Sequence, residues 1–466
     1  LDSAGSFFSS PKLADIDNDN KLEILIGSYD KKFHAYKTNG TEVSGFPVTT
    51  GGLIRSTAAV YLNPNGSRVI AFGSDDGKLY AVDKNGANLP GFPVQTPKAI
   101  KSSPMIVDLN NDGQREIVVL SGDGKMYAYS FNGTALSGFP AQIQNTEDNF
   151  GNIIIMPSPA AVDLDGNGTK EIVIGTLDKS LKVLNSDGSV RFTKTLDSAV
   201  YSSPLIAKVN SSTYRIIIAT ASGKIYLFDN LGNLVTSRSL GSGFVSSPVL
   251  ADLDKTGTPQ LIAATLGGEI YKLNPLTLAT MWSLPTGQQI YSSPVIADVD
   301  GDNYLDMVFG GQNGFLIPLT RQGYLVDSTT MAAIEPFNSW IISTSAIGDI
   351  DRDGKIDIVA ASMDKKIKAF SLPATTVNTK VWWSSFGNDL GNTRVADSLT
   401  SVGIMNNNIV ADKYALEQNY PNPFNPATKI LFSIPKSEFV TVKIFDMTGK
   451  EIAQLVNSEL KAGVYE

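Results

Sequence analysis

Five stretches of this sequence set acidic or amide side chains at the same four places in a nine-residue frame. The fullest reads Asp349-Ile-Asp351-Arg-Asp353-Gly354-Lys-Ile-Asp357, with carboxylates at positions 1, 3, 5 and 9. Asp298, Asp300, Asp302 and Asp306 repeat it, as do Asp15, Asp17, Asp19 and Glu23. Asp108, Asn110, Asp112 and Glu116 place an amide at position 3; Asp163, Asp165, Asn167 and Glu171 place one at position 5. Carboxylates this close repel one another unless a cation lies between them. The donors are all oxygen, which suits hard Ca²⁺ with its about six to eight oxygen ligands in flexible geometry. Gly354 at position 6 permits the sharp turn that aims alternate side chains inward. Calcium is therefore the expected cofactor, and these residues its expected ligands.

The EF-hand is the obvious rival, but it requires Glu at position 12 and a helix on each side. Position 12 here is Ile26, Val119, Ile174, Phe309 or Ala360, each inside an apolar run. Ordinary solvated turns would also be acidic, yet they would not keep one acid register through five loops. A sixth frame keeps only Asp252 and Asp254, with Thr256 and Gln260 at the later positions. Frames at Tyr61, Asn63, Asn65, Val69 and at Lys208, Asn210, Ser212, Ile216 are expected to hold no metal.

These loops recur because the unit around them recurs. A small polar pair, usually followed by Pro, opens an apolar run, the acidic loop, a second apolar run and an aromatic strand. The anchor falls at Pro11, Thr57, Pro104, Pro159, Pro204, Pro248, Pro294 and Ser345, in steps of 44 to 55 residues. Runs such as Glu116-Ile-Val-Val-Leu120 and Lys125-Met-Tyr-Ala-Tyr129, split by Asp-Gly and Asn-Gly turns, read as short strands. In the first three units a fourth segment ends in Gly-Phe-Pro, at Gly45, Gly91 and Gly138. Four strands per unit and eight units predict an all-β chain, an eight-bladed β-propeller over residues 1–393. Trp382-Trp383-Ser-Ser-Phe386 is expected to be the last strand that closes the ring, and His34, aligned with Tyr80, Tyr127, Tyr226 and Tyr271, to be structural.

Composition narrows the function. The chain has 466 residues, 38 Lys plus Arg against 46 Asp plus Glu, net charge −8, no Cys and one His. Such a field repels phosphate backbones, so nucleic acid is not an expected partner. Thiolate chemistry is excluded, and a His-based zinc site or Ser/His/Asp triad nearly so. No apolar stretch reaches the roughly 18 residues of a membrane span. Leu1 to Ser10 has neither Met nor a signal pattern, which points to a start inside a longer precursor.

The repeats resemble the FG-GAP or VCBS type, similar to the calcium-bearing blades of the integrin α-subunit head. The resemblance implies Ca²⁺ in the acidic loops for blade stability and ligands on the propeller faces. After a polar stretch at 394–413, expected to be a linker, residues 414–466 carry a second resemblance. Leu416-Glu-Gln-Asn-Tyr420-Pro-Asn-Pro-Phe424-Asn-Pro426, then Phe432 to Pro435, Val440 to Asp446, Gly449 and Ala462-Gly-Val-Tyr465, look like a type A sorting domain of the type IX secretion system. That likeness implies a partial immunoglobulin-like β-sandwich, cut short at the end, and export to the medium or the outer cell surface by the type IX machinery. The expected function is a calcium-stabilised binding or adhesion module, with a polysaccharide or protein ligand on a propeller face. The competing readings are an accessory propeller of a larger secreted hydrolase, an eight-bladed polysaccharide lyase similar to rhamnogalacturonan lyases, and a quinone-cofactor dehydrogenase. No catalytic constellation is visible, and the dehydrogenase reading lacks its recurring Trp and its Cys pair.

Overall fold

A computed structural model describes the chain apart from residues 64, 145–155, 210–212, 328–329, 331–333, 376–380, 397–414, 417–431, 435, 446–450, 461–462 and 466. The chain divides into two units, Leu1–Ser401 and Val402–Glu466.

The first unit is an eight-bladed β-propeller. Each blade is an antiparallel sheet laid down from the axis outward, as in Lys12–Ala14, Glu23–Gly27, Lys32–Tyr36 and Val48–Thr49 of blade 1. Second strands such as Glu116–Leu120 are buried on both faces because each blade is sandwiched between two others. Their apolar runs are therefore continuous rather than alternating. The cores lie between blades: Phe33 of blade 1 stacks on Phe72 of blade 2 with ring centroids 4.1 Å apart. Ile24 and Ile26 of blade 1 share another core with Val359 and Ala361 of blade 8.

The small polar pair turns out to be the hub of the ring. Ser10 N–H donates to Thr57 Oγ1, Thr57 N–H to Ser103 Oγ, and so on through Ser158, Ser203, Ser247, Ser293 and Thr344, whose N–H returns to Ser10 Oγ, all at 2.9 to 3.2 Å. Buried backbone donors need such acceptors. Thr57 thus occupies the hydroxyl position, and Ala58 stands where the other units carry Pro or Ser345.

Two features differ from the sequence reading. The outer edge of blade 8 is closed by the beginning of the chain: Asp2 bridges Lys366, Ser3 N–H donates to Lys365 O, and Ile367 N–H to Leu1 O. Blade 1 makes the matching bond from Thr50 N–H to Lys31 O. The expected closing strand instead enters the axial channel, where Val381–Trp383 pairs with the innermost strand of blade 7. From there the chain circles the inside of the ring in blade order. Ser384 O accepts from Ile347, Leu390 O from Val60, Gly391 O from Ile106, Thr393 O from Ala161 and Arg394 O from Ile206. Val395–Ala396 then pairs in parallel with Ile206–Ala207 of blade 5. The expected linker therefore starts inside the propeller, because inner-strand amides facing an open channel need acceptors and this segment supplies them. Lys12, 1% exposed, secures the plug by donating from Nζ to Ser385 Oγ, Phe386 O, Asp389 O and Asn392 Oδ1 at 2.8 to 3.1 Å.

In the second unit, Ala415–Leu416, Phe432–Ile434 and Gly463–Tyr465 form one antiparallel sheet, and Glu438–Phe445 pairs with Glu451–Leu460. Tyr420 to Pro426, Pro435, Asp446, Gly449 and Ala462, like residues 397–413 of the expected linker, lie outside the described residues.

Candidate metal centres

Each acidic loop joins the first and second strands of its blade, and its backbone is shaped by its own acids. The position 1 carboxylate spans the turn: Asp298 Oδ1 accepts from Gly301 N–H at 2.7 Å and Oδ2 from Asn303 N–H at 2.9 Å. Asp300 accepts from Asp302 N–H at 3.1 Å, and Asp302 from Tyr304 N–H at 2.7 Å. The same bonds recur at Asp163, Asp165 and Asn167, with lengths of 2.7 to 3.1 Å. Positions 4 and 6 both lie in the left-handed region: φ is 61° at Arg352 and 82° at Gly354, 69° at both Asn20 and Asn303. Gly at position 6 was legible in the sequence, whereas the second such turn at position 4 was not. Asn tolerates this conformation through its short polar side chain, which is how two loops dispense with Gly at position 6.

Position 9 is buried in every loop; it opens the second strand in four of them and is the third residue of that strand, Lys355–Ala361, in blade 8. One oxygen is clamped by the position 2 amide: Ile16 N–H donates to Glu23 at 2.8 Å, Leu109 to Glu116 at 2.8 Å, Leu164 to Glu171 at 2.7 Å, Val299 to Asp306 at 2.9 Å and Ile350 to Asp357 at 2.9 Å. Among the second oxygens of position 9, Asp306 Oδ1 and Glu171 Oε1 are buried without a hydrogen-bond partner, and so are the position 1 atoms Asp108 Oδ1 and Asp349 Oδ1. Burial, aggravated by the neighbouring acids, pushes Asp306 up to about 8, Glu23 and Glu116 to about 7 and Asp357 to about 6. Carboxylate oxygens of Asp15, Asp17 and Asp19 come within 4.8 Å of one another, as do those of Asp163, Asp165 and Glu171, of Asp298, Asp300 and Asp302, and of Asp349, Asp351 and Asp353. An all-oxygen donor set with buried, unpaired oxygens fits a hard divalent cation. In blade 3 the amide of Asn110 replaces one carboxylate and its Nδ2 donates to Asp112 Oδ2 at 3.0 Å.

Protein cations stand beside several of these acids. Lys37 Nζ lies 2.6 Å from Asp17 Oδ2, and Arg191 pairs with Asp165 and lies 3.5 Å from Glu171 Oε1. Blade 6 goes furthest. Asp252 still spans the turn, accepting from Gly257 N–H at 2.8 Å, and Gln260 Oε1 accepts from Leu253 N–H at 2.9 Å. Lys272 Nζ, however, donates to both oxygens of Asp254 at 2.8 and 2.7 Å. An ammonium on the neighbouring strand thus supplies the positive charge where the loop has lost its later acids, a substitution with no signal in the nine-residue frame. Position 12 residues Ile26, Val119, Ile174, Phe309 and Ala360 are all buried in second strands, which rules out an EF-hand.

His34 has the structural place its alignment implied. Its Nε2 is 3.1 Å from Asp30 Oδ2, just as Tyr80 and Tyr127 hydroxyls donate to Asp76 and Asp123 at 2.8 and 2.7 Å. Glu42 Oε1, 2.6 Å from Nδ1, holds the other side of the ring.

No curated protein matches the chain. Among solved structures it is similar to BamB from Moraxella catarrhalis, at 16% identity over 80% of this chain and 99% of that one, TM-score 0.55. Sqt1 from Saccharomyces cerevisiae gives 14%, 80%, 98% and 0.57, and the computationally designed Ika8 protein 15%, 80%, 98% and 0.50. At such identities the likeness is one of fold. Residues 108–199, from the acidic loop of blade 3 through blade 4, match the FG-GAP-like repeat family, so this part of the eight-bladed β-propeller carries FG-GAP-like repeat sequence.

Proposed function

We propose that the chain is a calcium-stabilised binding or adhesion module, secreted or held at the outer cell surface, and exported by type IX secretion machinery that reads residues 414–466. The observation that carries this reading is the common architecture of the five acidic loops. In each, position 9 gives one oxygen to the position 2 amide, and in four of them three acidic side chains bring oxygens within 4.8 Å of one another. Carboxylates committed in this way are poor proton shuttles, whereas they suit a cage that fixes the turn between the first two strands. Bound Ca²⁺ would neutralise the clustered charge; the chain's part is to hold Asp15, Asp108, Asp163, Asp298 and Asp349 in place through their own turns. Surface delivery rests on the resemblance of the tail. No helix among the described residues is long and apolar enough to cross a membrane.

The test combines metal and ligand. Saturating Ca²⁺ at about 1,000 times its Kd should add about 4 kcal/mol, so excess chelator should lower the melting temperature clearly. The calcium-loaded chain should be retained on immobilised polysaccharide or on cells without altering the polymer. A melt that chelator leaves unchanged, or steady depolymerisation of the polymer, would overturn the proposal.

A further inference from the structure

We propose that Lys37 and Arg191 are built-in counter-ions of the acidic loops in blades 1 and 4, so that the blade 7 loop takes Ca²⁺ first and those two only at higher concentration, where the ion displaces them. The inference rests on the calcium reading and adds the order in which the sites fill.

The affinity of an all-oxygen site for Ca²⁺ depends on the charge its ligands bring and on how rigidly they are held. The blade 7 loop brings four carboxylates, Asp298, Asp300, Asp302 and Asp306, and fully buried Asp306 leaves Oδ1 without a hydrogen-bond partner. Among the described residues no lysine or arginine makes an ion pair with any of the four. Two cations in the neighbourhood are turned elsewhere. Lys255 and Arg321 lie over the Tyr304 ring at 4.8 and 3.9 Å, and Arg321 Nη1 is 3.7 Å from Asp254. Lys255 acts on Asp298 only at a distance.

The loops of blades 1 and 4 carry positive charge of the chain's own. Lys37, next after the third strand of blade 1, donates from Nζ to Asp17 Oδ2 at 2.6 Å and lies 3.6 Å from Asp19 Oδ2. Arg191, on the fourth strand of blade 4, Val190–Thr195, donates from Nη1 to Asp165 Oδ2. The same nitrogen is 3.5 Å from Glu171 Oε1, the buried oxygen that has no hydrogen-bond partner. Each cation therefore faces oxygens at metal-ligand positions: 3 and 5 in blade 1, 3 and 9 in blade 4. Like charges a few ångströms apart repel strongly, so a divalent ion enters these loops only as the ammonium or guanidinium leaves. Blade 6 is the end of the series, with Lys272 on both oxygens of Asp254 and the later acids gone. In blade 8, Lys355 is 3.6 Å from Asp353 and 47% exposed, so solvent screens it and it weakens that loop least. The turns of blades 1 and 4 thus keep partners for their acids when calcium is scarce.

Hydrogen exchange read by mass spectrometry along a Ca²⁺ titration of the full chain follows each loop in its own peptides. Residues 298–306 should gain protection at the lowest concentration. Residues 15–23 and 163–171 should do so at concentrations at least about tenfold higher, the factor expected for one charge-assisted hydrogen bond. Arg191→Met, checked for an intact melt, should lower the midpoint of 163–171 about tenfold and leave that of 298–306 in place. Lys37→Met should move 15–23 the same way but by less, because solvent reaches Lys37. Protection of all three loops at one concentration, or a loop midpoint that its own variant leaves in place, would overturn the inference while the calcium reading stands. Protection of no loop at any concentration would overturn both.

Discussion

Replacing Ser103 by Ala removes one link of the hub and nothing else of comparable size. Ser103 Oγ is the acceptor for Thr57 N–H at 2.9 Å, and Thr57 is 3% exposed, so water cannot easily take its place. A buried backbone donor left without a partner costs about 1–3 kcal/mol, and about 2 kcal/mol is expected here. For a unit spanning Leu1–Ser401, with roughly 2.1 cal/mol/K of unfolding entropy per residue, the slope is about 0.8 kcal/mol/K, giving a loss of about 2–3 °C in the melting temperature. Ser103→Thr is the control: two ring positions, Thr57 and Thr344, already carry threonine, so it should stay within about 0.5 kcal/mol of wild type. Calorimetry would give the shift, and amide hydrogen exchange would show whether the Thr57 amide alone among its neighbours loses protection. If alanine and threonine at 103 behave alike, the hydroxyl ring does not hold the blades together and the reasoning fails.

Asn392→Ala should be more damaging, about 3 kcal/mol or more, because the amide donates to Ala58 O and Pro104 O and accepts from Lys12; denaturant unfolding would measure it, and a loss under 1 kcal/mol would argue against the plug. Lys272→Met should lower stability by about 1–3 kcal/mol by leaving Asp254 half-paired, and Asp254→Asn made in the Lys272→Met chain should restore part of it; a double-mutant cycle without coupling would refute the pairing. Gly138→Ala should destabilise by at least about 2 kcal/mol, since φ is +84° and the new Cβ would meet Asp187 O of the next blade at 1.8 Å; an unchanged thermal melt would refute this.

The blades were legible because they repeat. A frame such as Asp349 to Asp357 places each acid by local turn bonds, so its residues are close in sequence and in space. Gly138 was visible as part of Gly-Phe-Pro, though its reason, the turn of the next blade, belongs to tertiary packing. The plug was not legible. Ser384 to Ala396 spends its carbonyls on amides of different blades, so it has neither the period of a strand nor a turn motif, and its polar character read as a closing strand and then a linker. Ring closure by Leu1 to Ser3 was hidden for the same reason: its partners lie at Lys365 to Ile367, at the far end of the repeats. Lys272 escaped because the charge it meets lies on another strand.

The winding course of residues 381–396 has a mechanical corollary. A pull on the polypeptide beyond Ala396 enters the propeller at its axle and must first shear bonds to blades 5, 4, 3 and 2 and to Lys12, instead of peeling away a rim strand. Force is thus shared around the wheel from its centre.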